Sequence, residues 1–417
     1  MRVLWFSVTP SRYFSSSNGF NGGGWISSLE KLVIENLDLD LGIAFECNSS
    51  TLFKERKNKV TYYPINAWNT NLKRFQKKIS IFYEEKYLIP ECLKIIEDFK
   101  PDLIQVFGTE WCFGLIGKYT SIPVVIHMQG CIPPYYNARF PVGFNEYDFI
   151  FGKGLSLTSR FRLYKANYFF GKRSQRDIDI LHVCRYYLGR TVWDKAIVNL
   201  YNQNITYYYC SEVLRDVFYL VNQCWKYETR SCVEIVSTLS SPWYKGVDLV
   251  LKSAKLLKEN STIQFKWKIF GINDIRFYEK KTRISAKDVD VCVMGVVSEA
   301  QLMKELINCS FYVHPSYIDN SPNSVCEAQI LGVPIIATNV GGLSSLIKHE
   351  YNGLLVPAND PFMIAKYIVE YHNDTIRLNQ LSKNAVESAQ CRHNKKNILK
   401  DLLFAYNDIL EHEKKDS

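Results

Sequence analysis

Short apolar runs alternate with longer amphipathic stretches along most of the chain, and that alternation predicts strands and helices in turn. The runs Val3 to Val8, Gly42 to Phe45, Val60 to Tyr63, Leu103 to Phe107 and Val124 to Met128 read as strands. The intervening segments read as helices, and Asn71 to Phe99 as a helical pair or one long helix. From Tyr201 to Tyr227 the pattern becomes a helical and irregular connector. It then resumes with strand Cys232 to Thr238, an amphipathic helix to about Glu259, strands Gln264 to Phe270 and Val291 to Met294, and a helix from Glu299 to Asn308. Strands alternating with helices give an α/β fold with parallel sheets. A last helix, about Lys395 to Glu411, sets Ile398, Leu402, Ala405, Tyr406 and Ile409 on one face, which predicts packing against a core.

The length of 417 residues exceeds one compact core and suits two domains. The expected division is 1–205, 206–390 and a terminal helix over 391–417. With 47% hydrophobic and 22% charged residues the chain is an ordinary globular one, rich in aromatics at 14%. No stretch reaches the roughly 18–20 apolar residues that span a bilayer, and the first apolar run is too short for a signal-peptide core. A cytoplasmic location is expected, with association at the inner face of the cell membrane as an option. The 12 cysteines are scattered, without Cys-x-x-Cys, and read as reduced thiols, mostly buried, with no structural zinc.

The most informative stretch runs from Phe311 to Asn352. A strand (Phe311 to Val313), a polar loop, a helix, a second strand (Pro334 to Ala337) and a Gly-Gly turn form one βαβ unit. Ser321 suits an N-cap, Pro322 the first helical position and Gly332 the residue past the end. The N–H groups of Asn323 and Ser324, at the helix start, make a ready anion site. Two carboxylates, Asp319 and Glu327, bracket this start. Either acid alone reads first as ordinary capping charge. Elsewhere, a loop of roughly fifteen residues after the first strand ends in Asn21-Gly22-Gly23-Gly24-Trp25, where Gly23 and Gly24 let backbone approach a ligand closely. Glu110 and His127 follow strand ends, where ligands bind in open α/β sheets, although a lone His there is also a common structural residue.

The acid, seven residues, acid pattern, followed by Ala-Gln-Ile-Leu-Gly-Val-Pro and Val-Gly-Gly, resembles the donor site of the retaining glycosyltransferases of family 4. Their motif is usually Glu-x7-Glu, and Asp319 stands in the place of the first Glu. The resemblance implies the GT-B fold, two Rossmann-like domains facing across a deep cleft, with acceptor binding in the first and nucleotide-sugar binding in the second. It implies that Glu327 accepts hydrogen bonds from the ribose and that Asp319 contacts the transferred sugar. His127 would face the donor sugar and acceptor, and Gly23 and Gly24 the donor phosphates. Lys245 matches a loop Lys that neutralises the pyrophosphate, whereas the companion Arg position holds Leu239 or Ser240. Arg190, in a Gly-Arg-Thr-x-Trp-Asp run, is a candidate for phosphate or acceptor, or equally for an interdomain ion pair. The terminal helix is implied to cross back onto the first domain.

The resemblance also implies a nucleoside-diphosphate sugar as co-substrate and a glycan or lipid-linked acceptor, in surface polysaccharide synthesis. No metal or other cofactor is expected, because the three Asp-x-Asp sequences (at 38–40, 177–179 and 288–290) lie outside the stretches assigned to the donor. Lys245, the amides of Gly23 and Gly24, and the helix start at Asn323 and Ser324 would carry the leaving charge electrostatically. The net charge of +9 concentrates over 151–176, where seven basic residues meet no acid and aromatics interleave. This reads as a solvated face, or as a surface for anionic lipid headgroups or a pyrophosphate-bearing lipid acceptor. No nucleic-acid-binding motif accompanies it, so nucleic acid is not an expected partner. Two rivals remain: a sugar-nucleotide epimerase on the same fold, and a non-catalytic sugar-nucleotide-binding subunit, suggested by Asp319 and by the missing loop Arg.

Overall fold

Among the described residues, fourteen strands assemble into two separate sheets, and their order decides where polar residues collect. The computed structural model describes residues 1–14, 24–49, 52–152, 154, 156–220, 224–228 and 231–416. Two compact units result. One comprises Met1–Tyr136, Lys165–Val213 and His393–Ser417; the other comprises Asn137–Tyr164 and Leu214–Arg392.

The first unit holds β1 (Arg2–Ser7), β2 (Asp40–Glu46), β3 (Glu55–Lys57), β4 (Val60–Ile65), β5 (Leu103–Phe107), β6 (Val124–His127), β7 (Tyr186–Gly189) and β8 (Thr206–Tyr209). Their order across the sheet is β3-β4-β2-β1-β5-β6-β7-β8, parallel except for β3. The apolar runs that predicted β1, β2, β4, β5 and β6 are buried on both faces, as a helix-covered parallel sheet requires. The segment 71–99 is a helical pair, Asn71–Ile79 and Phe82–Phe99.

Strands β7 and β8 were not legible. Tyr186–Gly189 and Thr206–Tyr209 are tyrosine-rich and short, without the aliphatic run that marks a buried strand. The connector expected over Tyr201 to Tyr227 therefore contains the last strand of this sheet, and a boundary at residue 205 would detach it. The segment 137–164, expected in the first domain, belongs with the second unit.

The terminal helix Lys395–Asp416 belongs to the first unit. Ile398, Leu402, Ala405, Tyr406 and Ile409 are all buried, as their spacing predicted. Three tyrosines fasten it. Tyr208 Oη donates to Asp408 at 2.6 Å and Tyr186 Oη to Glu413 at 2.6 Å. Tyr406 accepts from Trp5 Nε1 at 3.1 Å and donates to Gln105 Oε1 at 2.6 Å.

The second unit holds β9 (Val233–Thr238), β10 (Phe265–Phe270), β11 (Val291–Gly295), β12 (Phe311–His314), β13 (Ile335–Thr338) and β14 (Leu354–Val356), ordered β11-β10-β9-β12-β13-β14 and all parallel. Its core is aliphatic around Ile235, Val236, Val250 and Val313, with Trp267 and Tyr312 fully buried. The segment 137–164 adds Phe140, Phe144 and Phe149, which pack on Trp243 at 5.1–5.9 Å between ring centroids. All 12 cysteines are free, and 7 of them are buried, as expected of reduced thiols.

Tyr406→Phe should lower unfolding stability by about 1–3 kcal/mol, because it leaves the buried Trp5 N–H and the Gln105 carbonyl without their shared partner. Denaturant melts of both proteins check this, and equal midpoints would show that the network adds nothing to the fold.

Candidate functional site

In each sheet the chain reverses its direction of winding once. In the second it winds outward from β9 through β10 to β11, then returns to β12 beside β9 and winds the other way. Loops that leave two adjacent strands at such a switch point diverge and open a crevice at the carboxyl ends of the strands. The loop after β9 carries Lys245, and the loop after β12 carries Asp319.

Two glycines press these loops together. Gly246 adopts φ +80°, and a Cβ there would stand 2.0 Å from the Pro315 carbonyl oxygen. Gly341, in the turn after β13, adopts φ +53°, and a Cβ would stand 1.9 Å from the Asp319 carbonyl oxygen. Neither position admits another residue without backbone movement. Tyr317 N donates to the Tyr244 carbonyl at 2.7 Å, and Gly342 N to the Asp319 carbonyl at 2.9 Å. The Gly-Gly turn that the sequence singled out thus braces the Asp319 backbone.

Asp319 is buried, with only 6% of its surface exposed. Lys245 Nζ lies 2.6 Å from its Oδ2 and His314 Nε2 3.0 Å from the same oxygen. Burial opposes the charge on Asp319, but Lys245 and His314 outweigh it and hold the carboxyl well below its ordinary range. Burial likewise holds His314 below its usual value, against the pull of Asp319. His314, the last residue of β12, was not singled out from the sequence. The strand as read from the sequence ends at Val313, and nothing in the polar loop that follows set His314 apart.

The helix after this loop is Asn323–Ile330. Ser321 does not cap it: the residue before the helix is Pro322, at φ −69° and ψ 119°, and Ser321 Oγ instead lies 3.4 Å from Arg392 Nη2. Gly332 follows the helix at φ +76°, as expected of a C-terminal glycine. As its first two residues, Asn323 and Ser324 present N–H groups that have no intrahelical acceptor. Glu327, one turn in and 4% exposed, meets Arg215: Nε lies 2.9 Å and Nη2 2.8 Å from Oε1. Burial pushes Glu327 up to about 7, with Arg215 pulling the other way. Arg215 also bridges to Glu299 at 2.8 Å. The sequence offered no signal for Arg215, which lies 112 residues from Glu327 in the chain. Leu239, one of the two places where a loop Arg was looked for, is a core residue.

In the first unit, β1 and β5 flank the switch point. Gly24 begins the helix Gly24–Asn36 after β1, while Gly23 lies outside the described residues. Glu110 follows β5, and its Oε1 accepts from Gly130 N at 3.1 Å. Burial raises the Glu110 carboxyl, with backbone N–H groups opposing. Arg190 follows β7 and is buried, stacked 4.0 Å from the Trp25 ring centroid with Nε 3.7 Å from Glu212 Oε2. Asp194 closes a capping box with Thr191. Arg190 and Glu212 both belong to the first unit.

His127 ends β6, fully buried between Trp25 at 4.9 Å and Phe107 at 5.7 Å. A chain of hydrogen bonds fixes its tautomer. The Trp5 indole can only donate, so Tyr406 accepts from it and passes its own proton to Gln105 Oε1. That turns the Gln105 amide nitrogen toward His127 Nδ1, 3.4 Å away. Nδ1 accepts, so the ring proton sits on Nε2. Burial, with Arg190 adding to it, holds this ring far below its ordinary value, so it is neutral.

The basic run over 151–176 is divided in its duties. Arg176 is buried and pairs with Glu84 at 2.6 Å, and Arg173 reaches the same carboxylate at 3.1 Å. Lys172 and Arg162 are exposed, and Lys153 lies outside the described residues. The Asp-x-Asp acids have structural engagements: Asp40 with Arg2, Asp177 with the Ile132 N–H, Asp290 with Lys258.

Lys245→Met should destabilise the protein by about 3–5 kcal/mol at pH 8, since Asp319 is left buried without its cation. The sign follows from the pKa. In the native protein the depressed Asp319 carboxyl stabilises the fold above its unfolded value. Without Lys245, burial raises that carboxyl instead, so the deficit shrinks as the pH falls toward 5. Denaturant melts at both pH values, with Lys245→Met/Asp319→Asn restoring most of the loss, check the pairing.

Residues 233–388 match the family described as Glycosyl transferases group 1. Among curated relatives, an uncharacterized glycosyltransferase of Methanocaldococcus jannaschii is 30% identical over 145 residues, 34% of this chain and 39% of the relative. A putative teichuronic acid biosynthesis glycosyltransferase of Bacillus subtilis is 34% identical over 101 residues, 24% of this chain and 25% of the relative. The chain thus spans 25–44% of the length of these and two further curated relatives. Among solved structures, sucrose-phosphate synthase from Thermosynechococcus elongatus covers 99% of both chains at TM-score 0.70 and 14% identity. Anabaena HepE in complex with UDP and glucose covers 98% of this chain and 100% of its own at TM-score 0.63 and 14% identity. At such identity the likeness is one of fold, and that fold is GT-B. Residues 233–388, in the second unit, thus match the group 1 glycosyl transferases, and the chain has the GT-B fold of two Rossmann-like units.

Proposed function

We propose that this protein is a retaining hexosyltransferase that moves a sugar from a nucleoside diphosphate to a glycan or lipid-linked acceptor in the building of a cell-surface polysaccharide. The observation that carries the reading is the arrangement of Lys245, Asp319 and the helix start at Asn323, around the β9/β12 switch point within the segment that matches the family. The relatives add the biological setting, as one acts in amylovoran biosynthesis and another on a diphospho-undecaprenol acceptor.

The chemistry follows from charge. Departure of a nucleoside diphosphate places negative charge on the phosphates and positive character on the sugar. Lys245 has three N–H donors and spends one on Asp319. The others, with the amides of Asn323 and Ser324 and of Gly23 and Gly24, receive the phosphates without a metal ion. Asp319, held ionised by Lys245 and His314, stabilises the sugar. Glu327 takes the ribose hydroxyls, His127 offers its Nε2–H to the sugar, and Glu110 and Arg190 serve the acceptor or phosphate side. Contact with anionic membrane through the exposed basic residues of 151–176 completes the reading. A non-catalytic nucleotide-sugar-binding subunit is the second reading, favoured by the aspartate at 319.

Glu327→Ala should weaken nucleotide binding about tenfold or more, the worth of a charged hydrogen-bond acceptor, with the fold intact. Calorimetry with UDP and with GDP checks this, and unchanged affinity for a nucleotide that binds the native protein sinks the ribose assignment. Sugar transfer should persist in EDTA at the untreated rate. Loss of transfer that added Mg²⁺ or Mn²⁺ restores would reject phosphate stabilisation by protein groups alone.

A further inference from the structure

We propose that the helix Asn71–Ile79 is a docking element for the surface of an anionic lipid bilayer. The helix is amphipathic, yet none of its residues is buried. Its apolar residues point outward: Leu72 is 64% exposed, Phe75 61% and Ile79 49%, and Phe82 just beyond it 62%. Spacings of three and four place Leu72, Phe75 and Ile79 on one face of the helix. An ordinary surface helix turns this face to the core and its charges to water. Here the relation is reversed.

The polar side holds the helix to the unit. Lys77 pairs with Glu46 and lies 4.7 Å over the Trp68 ring, Arg74 Nε donates to the Trp68 carbonyl at 3.0 Å, and Gln76 Oε1 accepts from Tyr87 at 2.6 Å. Thr70 caps the start by accepting from Lys73 N at 3.2 Å. The helix is therefore fixed with its apolar stripe outward, so the stripe does not serve the fold. A contiguous exposed apolar patch marks an interaction surface.

Charge selects the occupant. The nine residues contain no acid, and of their four cations Arg74 and Lys78 are exposed beside the stripe, whereas Lys77 is engaged by Glu46. An apolar stripe flanked by lysine and arginine is the pattern that lies in a bilayer interface, apolar side chains among the acyl chains and cations among anionic headgroups. Arg173, by meeting Glu84 at 3.1 Å, brings the later turns of the helix Leu157–Val183 to the start of the helix Phe82–Phe99. Those turns add exposed Lys172 and Tyr168 to the same corner. The proposal adds an apolar anchor to the electrostatic contact already assigned to 151–176 and uses no donor-site residue. Its failure leaves the glycosyltransferase reading untouched.

Sedimentation of the full chain with phosphatidylcholine vesicles, with and without phosphatidylglycerol, tests it. The protein should sediment with the anionic vesicles, weakly with the neutral ones, and less at high salt. Phe75→Ser, and Leu72→Ser/Phe75→Ser/Ile79→Ser, should cut the vesicle-bound fraction at least about fivefold, the triple more than the single. Their melting temperatures should stay within about two degrees of the native value, as exposed positions allow. Absence of native binding to anionic vesicles, or equal binding by both variants, overturns the proposal. So does a change of oligomeric state in light scattering with vesicle binding preserved, which would make the stripe a protein contact.

Discussion

A carboxylate with 6% of its surface exposed has to be compensated, and in the second unit that requirement ties two loops into one object. Asp319 sits after β12, and Lys245 after β9, 74 residues away. Their contact exists only because Gly246 and Gly341 let neighbouring backbones approach to distances that a Cβ would forbid. The glycines therefore belong to the electrostatics as much as to the turns. A longer acid at 319 would have to find room in a loop already braced at its carbonyl by Gly342 N. Aspartate there fits the closeness of Lys245 and His314.

The first unit solves a different problem, how to keep a buried histidine neutral and oriented. Its answer starts from an obligate donor, the Trp5 indole, and runs through Tyr406 and Gln105 to Nδ1. Because Tyr406 comes from the terminal helix, the last elements of the chain set the tautomer of His127. The burial of Tyr406 was legible from spacing. Its hydrogen bonds were not, because spacing reports which face is covered and says nothing of which polar atoms meet beneath it.

That distinction describes the rest of the molecule. Aliphatic runs bounded by glycine and polar loops located the strands of the second sheet up to Ala337 and most of the first, since burial on both faces leaves a local trace. Strands β7 and β8 left none: most of their residues are tyrosines, whose hydroxyls reach Asp194 in the connecting helix and Asp408 and Glu413 in the terminal helix, 200 and 227 residues away. Local pattern also located Asp319 and Glu327, which flank a helix start. Arg215 and His314 escaped because their meaning lies in contacts: one is 112 residues from its partner, and the other shows its role only where its ring meets Asp319.

Arg215 changes what the absence of a loop arginine means. Leu239 packs in the core, so the positive charge looked for in the loop after β9 is not displaced by a residue or two; a guanidinium stands instead at the far carboxylate. It draws Glu327 toward the ionised form against the burial that pushes it up to about 7, and Glu299 holds the guanidinium from the other side. A ligand hydroxyl that approaches Glu327 meets a carboxylate whose charge depends on that contact. In this unit each acid flanking the helix start has its own cation, Lys245 for Asp319 and Arg215 for Glu327. The helix N-terminus between them is left as the part of the site whose positive potential no side-chain carboxylate of the pair consumes.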